Sequence, residues 1–345
     1  MKIDDFLRLE WSAPGSPLIE PPRFSPVIAD PSFLFPEESP DGNWALVAHS
    51  AWGLHRYSSA DGQRWLDRGL IVRHVMRPFL RRAGGEYFLF YEAYAPFALP
   101  LTVLPFRRPW RSSVRLTRSA DLVRWSRPET ALGPDLDWMT EPGLGSSVSN
   151  PCLIEDDSGW RLYFSASLSW IPDCGFSEPR FIGAAGAPEP GGPFVPYPRP
   201  ILDPATDPRP GVLGAGSLKA VRMDDGWIGL QNKIYRDAEG RSRSALFALR
   251  SADGLSWTEA LHEPLLSPGP GWTASHVYAC DLRYRESDGL WYLYFNARGG
   301  WRIPEGKERI GRIIGRSAAR SAARTTGWAT GWATGRSAQA EGGTA

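Results

Sequence analysis

The stretch 59-SADGQRW-65 recurs in slightly altered form as 119-SADLVRW-125 and 251-SADGLSW-257. Each copy follows an apolar run typical of a β-strand, and Ser and Asp side chains commonly hydrogen-bond backbone N–H groups in turns. We therefore expect the three aspartates to cap turns rather than to catalyse a reaction: Asp61, Asp121 and Asp253. The three tryptophans would pack between neighbouring sheets: Trp65, Trp125 and Trp257.

Working outward from these turns, the most strand-like segments form a repeat: 44-WALVAHS-50, 87-YFLFYEAY-94, 160-WRLYFSAS-167, 227-WIGLQNKIY-235 and 291-WYLYFNAR-298. Each is preceded by a further strand-like run: 28-IADPSFLF-35, 75-VMRPFL-80, 148-VSNPCLI-154, 215-AGSLKAV-221 and 278-YACDLRY-284. The units span roughly 50–70 residues and carry about four strands each, which predicts an all-β fold, a five-bladed β-propeller. An irregular β-sandwich with accidental internal similarity is the alternative.

The repeat also predicts the domain boundaries. Residues 24–316 would form the propeller, and residues 1–23 would be an N-terminal segment that could supply a ring-closing outer strand. Residues 317–345 consist of tandem SAAR and TGWA repeats, a composition that predicts a disordered, low-complexity tail.

Composition excludes several classes of function. The net charge of the 345 residues is +1, which gives no electrostatic basis for binding nucleic acid or an anionic membrane. No apolar run is long enough to span a bilayer, and the N-terminus lacks the apolar core of a secretory signal, so we expect a cytoplasmic protein. Three widely spaced cysteines predict free thiols rather than disulfides or a metal site: Cys152, Cys174 and Cys280.

In a propeller, the innermost strands surround a central channel. The last four repeats share a constant ten-residue spacing, and the first has a longer turn. Aligning all five places a polar residue from each at one mouth of this channel: Asp30, Arg77, Asn150, Ser217 and Asp281. Loops that open on the same face add Trp138, Glu141, Trp272, His276 and the strand-end residues His49, Glu92, Asn232, Lys233, Asn296 and Arg298. Such a ring forms either a binding site or a plug of mutually hydrogen-bonded side chains.

The five units, the opening 29-ADPSFLF-35 and the string 182-IGAAGAPEPGGPF-194 resemble five-bladed glycoside hydrolases, the family 43 arabinanases and xylosidases and the related family 32 invertases. The resemblance covers about residues 24–316. It implies that Asp30 is the catalytic base, as in family 43, or the nucleophile, as in the invertases. The second Asp of family 43 is replaced here by Asn150, and the general-acid Glu by Ser217 and Lys219.

The resemblance thus predicts hydrolysis of a glycosidic bond, with a carbohydrate as the partner and no cofactor. The missing acid leaves three alternatives: an acid from Glu92, Glu141 or Asp281, a sugar-binding or sugar-transferring relative, or an inactive site. Arg77, Asn150 and Lys219 would position sugar hydroxyls.

The remaining candidates have weaker support from the sequence. Trp138 and Trp272 would stack on sugar rings or merely cover the surface. His49 and His276 would hydrogen-bond rather than hold a metal ion, so we expect no metal site. A protein-interaction propeller would carry no carboxylate cluster at the channel mouth.

Overall fold

Short strands form because apolar residues alternate with polar ones and Gly, Pro or Asp interrupts almost every run. The computed structural model describes residues 1–95, 109–302 and 305–317. It contains α1 (Ile3–Leu7) and four single-turn 3₁₀-helices: Pro36–Glu38, Asp137–Met139, Pro204–Thr206 and Gly271–Thr273. In these ranges, no helix has the length and apolarity that a membrane crossing requires.

The pairing of consecutive strands gives five antiparallel units, here called blades. A parallel bridge between Ser244 and His276 joins the last two of them into one sheet. Blade one contains β2 (Ile28–Leu34), β3 (Trp44–Ser50), β4 (Gly53–Ser59) and β5 (Leu66–Arg73). Blade two contains β6 (Val75–Ala83), β7 (Glu86–Tyr94), β8 (Trp110–Ser119) and β9 (Glu129–Leu132). The short strands β10 (Thr140–Glu141) and β11 (Gly145–Ser146) extend this second sheet beyond β8.

The other three blades repeat the same order. Blade three contains β12 (Val148–Asp156), β13 (Gly159–Ile171), β14 (Phe176–Ala187) and β15 (Val195–Pro196). Blade four contains β16 (Val212–Met223), β17 (Gly226–Arg236), β18 (Ser242–Ser251) and β19 (Thr258–Glu259). Blade five contains β20 (His276–Arg285), β21 (Leu290–Arg298), β22 (Arg309–Arg316) and β1 (Glu10–Trp11).

The blades form a closed ring. Their innermost strands contact one another in cyclic order: β2 with β6, β6 with β12, β12 with β16, β16 with β20 and β20 with β2. The outermost strand of blade five comes from the start of the chain, because β1 pairs antiparallel with β22. The predicted all-β propeller fold is confirmed. Most of the low-complexity tail, residues 318–345, lies outside the described residues.

The repeated S-A-D turns have the structural role that the sequence predicts. In the second copy, Asp121 Oδ1 accepts hydrogen bonds from the backbone N–H groups of Val123 and Arg124, at 2.9 and 2.8 Å. Asp61 and Asp253 accept equivalent pairs of bonds in the other copies. The three tryptophans pack against buried apolar clusters at their blades, and the three cysteines are buried free thiols.

Each innermost strand carries a β-bulge near its start, where two residues of that strand lie opposite one residue of the middle strand. In blades one to three, the bulge begins with Asp30, Arg77 and Asn150, at φ angles of 52°, 55° and 47°. In blades four and five it contains Ala215–Gly216 and Tyr278–Ala279. The constant ten-residue spacing therefore misaligned Ser217 and Asp281, because each of them follows the bulge instead of occupying it.

Candidate active site

A polar pocket of about 550 Å³, including the part that is open to solvent, lies at the mouth of the channel. The bulges of the inner strands and the ends of the middle strands line it. It contains seven of the residues that the sequence predicted: Asp30, His49, Arg77, Asn150, Ser217, Asn232 and Asn296. Those seven side chains come from five blades, so only closure of the ring brings them together.

Asp30 is an ionised carboxylate held by a neighbouring imidazole. Its Oδ2 lies 3.2 Å from His49 Nδ1, and its backbone N–H donates to Asn296 Oδ1 at 3.0 Å. Burial opposes ionisation of Asp30, but the hydrogen bond from His49 and the charges of Arg77 and Lys219 outweigh burial and lower its pKa. Asp30 is thus poised to act as a base or a nucleophile.

Two further carboxyl groups line the same pocket, Glu178 and Glu308, and the sequence analysis singled out neither of them. Burial raises the pKa of Glu178 to about 7, against the opposing charges of Arg77 and Arg298. Burial also raises the pKa of Glu308, whose Oε1 accepts a hydrogen bond from Asn296 Nδ2. Glu178 consequently retains a proton near neutral pH, while Asp30 does not.

Glu178 enters the pocket because the β13–β14 hairpin is longer than its counterparts. Strand β14 begins at Phe176, five residues before the run at Phe181 that the sequence suggested. Ser169 pairs with Glu178 in the extended part of the hairpin, so the third strand of the blade reaches over the channel mouth. The segment 171-IPDCGFSEPRF-181 lacks the alternation that would have marked it as a strand.

Glu92 does not supply the missing acid. It is fully buried and forms an ion pair with Arg77, whose Nη1 lies 2.6 Å from Glu92 Oε2. The indole N–H of Trp110 donates to the other oxygen at 3.2 Å. Both oxygens of Glu92 are therefore engaged behind the pocket wall, and the residue orients Arg77 instead of meeting a substrate.

Two other predicted acids are corrected as well. Glu141 lies outside the pocket, where Arg180 Nη1 approaches its Oε2 at 2.5 Å. Asp281 is buried between blades five and one, where its Oδ2 accepts hydrogen bonds from Ser32 Oγ at 2.9 Å and Phe33 N at 3.0 Å. The strand alternation after the bulge turns Asp281 away from the channel.

Several residues predicted to contact a sugar instead support the pocket wall. Lys219 Nζ donates to the carbonyl of Pro151 at 2.8 Å and lies over the ring of Phe79. Arg298 lies over the rings of Phe176 and Tyr278, which line the pocket.

His276 and the two predicted tryptophans are likewise structural. The imidazole of His276 stacks behind Tyr278, and burial lowers its pKa to about 3. Trp138 stacks on Phe164 and Trp272 stacks on Phe295, so these tryptophans cover blades rather than sugars. Among the residues that the structure describes, no group of three or more His, Cys, Asp and Glu side chains is arranged to hold a metal ion.

The fold is similar to that of solved carbohydrate-active enzymes. One is an N-acetylgalactosamine deacetylase from F. plautii in complex with blood group B trisaccharide, with a TM-score of 0.60, 14% identity and coverage of 89% of this chain and 95% of that chain. Another is a thermostable family-43 glycoside hydrolase, with a TM-score of 0.57, 12% identity and coverage of 85% and 90%.

A third is a family 117 glycoside hydrolase from the marine bacterium Zobellia galactanivorans, with a TM-score of 0.57, 14% identity and coverage of 90% of this chain and 91% of that chain. No protein-family model and no curated protein matches the chain. At these identities the likeness shows the fold alone. The similarity of the fold confirms the predicted resemblance to the propellers of glycoside hydrolases.

Proposed function

We propose that the chain hydrolyses a glycosidic bond of a small saccharide or a polysaccharide in the channel-mouth pocket. The observation that carries the proposal is the pair Asp30 and Glu178, two carboxyl groups lining one pocket whose surroundings drive their pKa values apart. Glycoside hydrolysis requires one ionised carboxylate and one protonated carboxyl group at neutral pH. Asp30 supplies the first and Glu178 the second.

In this mechanism, Glu178 gives its proton to the glycosidic oxygen while the bond from C1 to that oxygen breaks. In one course, a water oxygen bonds to C1 and the proton of that water passes to Asp30. In the other, Asp30 itself bonds to C1, and in a second step a water oxygen displaces Asp30 from C1 while the proton of that water returns to Glu178. The first course inverts the configuration at C1 and the second retains it, so the anomer that NMR detects first distinguishes them.

The other pocket residues would bind the sugar hydroxyl groups. Arg77 is held in place by Glu92, and Asn150, Ser217 and Asn232 present amide and hydroxyl groups from blades three and four. Such a set of donors and acceptors suits an uncharged, hydroxyl-rich ring. Phe176 contributes an apolar face on the side of the pocket next to Glu178.

Substitution of the two carboxyl residues tests the proposal. On a panel of aryl furanosides and pyranosides, we expect Asp30→Asn to lower kcat about 10²–10⁴-fold whatever the leaving group. Glu178→Gln should slow the first-turnover release of the leaving group to a comparable extent only when that group is a poor one, such as a sugar or an alcohol. A dinitrophenyl group departs without a proton, so its first-turnover release should be nearly unaffected.

Glu141→Gln is the matched control, since Glu141 lies outside the pocket, and it should leave kcat unchanged. Equal losses of first-turnover release with both kinds of leaving group would remove Glu178 from the role of acid, and an unaffected Asp30→Asn variant would remove Asp30. Saccharide binding by the wild-type chain without any cleavage would favour the alternative, a non-catalytic carbohydrate-binding propeller.

The pH dependence of kcat/KM provides a separate prediction. The reaction needs Glu178 protonated, so the rate should fall as the pH rises through about 7, the pKa of that carboxyl group. The lowered pKa of Asp30 keeps that carboxylate ionised on the acid side of the profile, where an ordinary aspartate would begin to take up a proton. With a dinitrophenyl substrate, whose departure needs no proton, the wild-type kcat/KM should show no fall near pH 7, and a fall that persists would assign it to another group.

A further inference from the structure

The middle strand of blade four departs from the pattern of the other four blades. The opening aromatic residue of each middle strand is counted as the first. In those four blades, the third, fifth and seventh residues are then apolar or small: Leu46, Ala48, Ser50; Leu89, Tyr91, Ala93; Leu162, Phe164, Ala166; and Leu293, Phe295, Ala297. In β17 the same positions hold Gly229, Gln231 and Lys233. The contact between blades three and four is therefore polar where equivalent contacts are apolar.

A second cavity lies at this contact, distinct from the central pocket. It measures about 690 Å³ including the part open to solvent. Gln231, Lys233 and Trp257 line it from blade four. Pro204 and Thr206 of the short 3₁₀-helix line it from the segment between the blades, together with Asp207.

The charges in this cavity are already paired. Lys233 is almost fully buried, and its Nζ lies 2.6 Å from both Asp207 Oδ2 and Glu259 Oε1. Arg209 Nε donates to the same Glu259 oxygen at 2.8 Å. Asp203, also at the cavity, caps the short helix by accepting from the N–H of Ala205. The ammonium group occupies the position that a cation would take, and the carboxylates disfavour an anion.

One hydrogen-bond acceptor on a residue that lines the cavity is nevertheless unsatisfied. Gln231 is only 2% exposed, and its Nε2 donates to the Ala215 carbonyl at 3.1 Å, but its Oε1 has no partner. A buried amide oxygen without a donor is unfavourable, so a bound group with a hydroxyl or N–H would stabilise the site. The ring of Trp257 lies close over Gly229, where the other blades place a leucine, and borders the same cavity.

We propose that this cavity is a second binding site, separate from the central pocket, for a neutral polyhydroxylated small molecule such as a monosaccharide or a polyol. A hydroxyl group of the ligand donates to Gln231 Oε1. Other hydroxyl groups exchange hydrogen bonds with the Lys233, Asp207 and Glu259 network, which offers both donors and acceptors. The apolar face of a sugar ring fits against Trp257.

Calorimetry with the full chain tests the inference. Titration with glucose, galactose, mannose, xylose, arabinose and myo-inositol should show at least one compound that binds in the Asp30→Asn background. Gln231→Leu restores the apolar character of the other blades, and it should raise the Kd of that compound at least tenfold. Hydrogen exchange should show protection by the ligand at residues 203–209 and 226–236.

Thr206→Trp provides a test that does not perturb the buried network, because Thr206 is exposed at the edge of the cavity. It should also raise the Kd at least tenfold by filling the entrance. Ala205→Trp is its matched control, since the neighbouring Ala205 is exposed but does not line the cavity. Absence of binding by every compound, or binding that survives both Gln231→Leu and Thr206→Trp, would overturn the proposal.

Discussion

At the scale of single residues, Glu92 and Glu141 show how the environment decides the role of a carboxylate. Each forms an ion pair with one arginine, yet Glu92 is fully buried whereas Glu141 is partly exposed to solvent. A buried ion pair that loses one partner leaves an uncompensated charge in a medium of low polarity. A partly exposed pair loses little, because water solvates the remaining charge.

We therefore expect Glu92→Gln to lower the free energy of unfolding by about 3–5 kcal/mol. Glu141→Gln should change it by less than about 1 kcal/mol. Urea denaturation followed by tryptophan fluorescence measures both values. Losses of similar size in the two variants would mean that the Arg77–Glu92 pair is effectively solvated, and would contradict its role in fixing Arg77.

At the scale of the elements, the S-A-D turns link a local sequence to pH-dependent stability. The backbone N–H groups of Arg64 and Gln63 and the hydroxyl of Ser59 lower the pKa of Asp61 to about 2. Because this pKa is below the value of about 3.9 for an unfolded chain, the stabilisation is complete above pH 4. It is lost as the pH falls from about 4 towards 2.

Substitution of this turn residue should reveal the effect. An Asn at position 61 accepts the same hydrogen bonds but does not titrate, so Asp61→Asn should reduce the fall in Tm between pH 4 and pH 2. At pH 7 it should lower Tm by only about 1–2 °C, because the neutral amide accepts these bonds more weakly. A scan of Tm against pH by circular dichroism checks this, and identical slopes for the two proteins would refute it.

At the scale of the whole molecule, the N-terminal segment helps to close the ring. Phe6 is completely buried and lies edge-on against Trp291 of blade five, with ring centroids 4.9 Å apart, and against Trp11 at 5.9 Å. Strand β1 then pairs with β22. The packing of Phe6 thus holds the segment that completes the last blade.

Phe6→Ala should lower the free energy of unfolding by about 3–5 kcal/mol, since it empties a fully buried aromatic site. Phe24→Ala is the matched control within the same part of the chain, because 78% of the Phe24 surface is exposed. That variant should change stability by less than about 0.5 kcal/mol. Thermal or urea denaturation distinguishes the two, and equal effects would show that the closure does not depend on Phe6.

Local sequence patterns alone determined the propeller, its turns and the polar character of the channel mouth. Strand alternation and turn chemistry act over a few residues, so the S-A-D copies and the polar residues that open the inner strands were visible in the chain. Asp30, His49, Arg77, Asn150 and three other residues named from the sequence line the pocket at the mouth.

Only the tertiary structure decided which carboxyl groups line the same pocket. Glu178 and Asp30 come from blades three and one, and a hairpin extension without a clear strand pattern brings Glu178 to the pocket. Bulge positions in blades four and five depend on pairing between strands, so a fixed spacing placed Asp281 in the wrong register. The identity of a side chain is local information, but its burial, partner and pKa arise from contacts between distant segments, and ring closure creates those contacts.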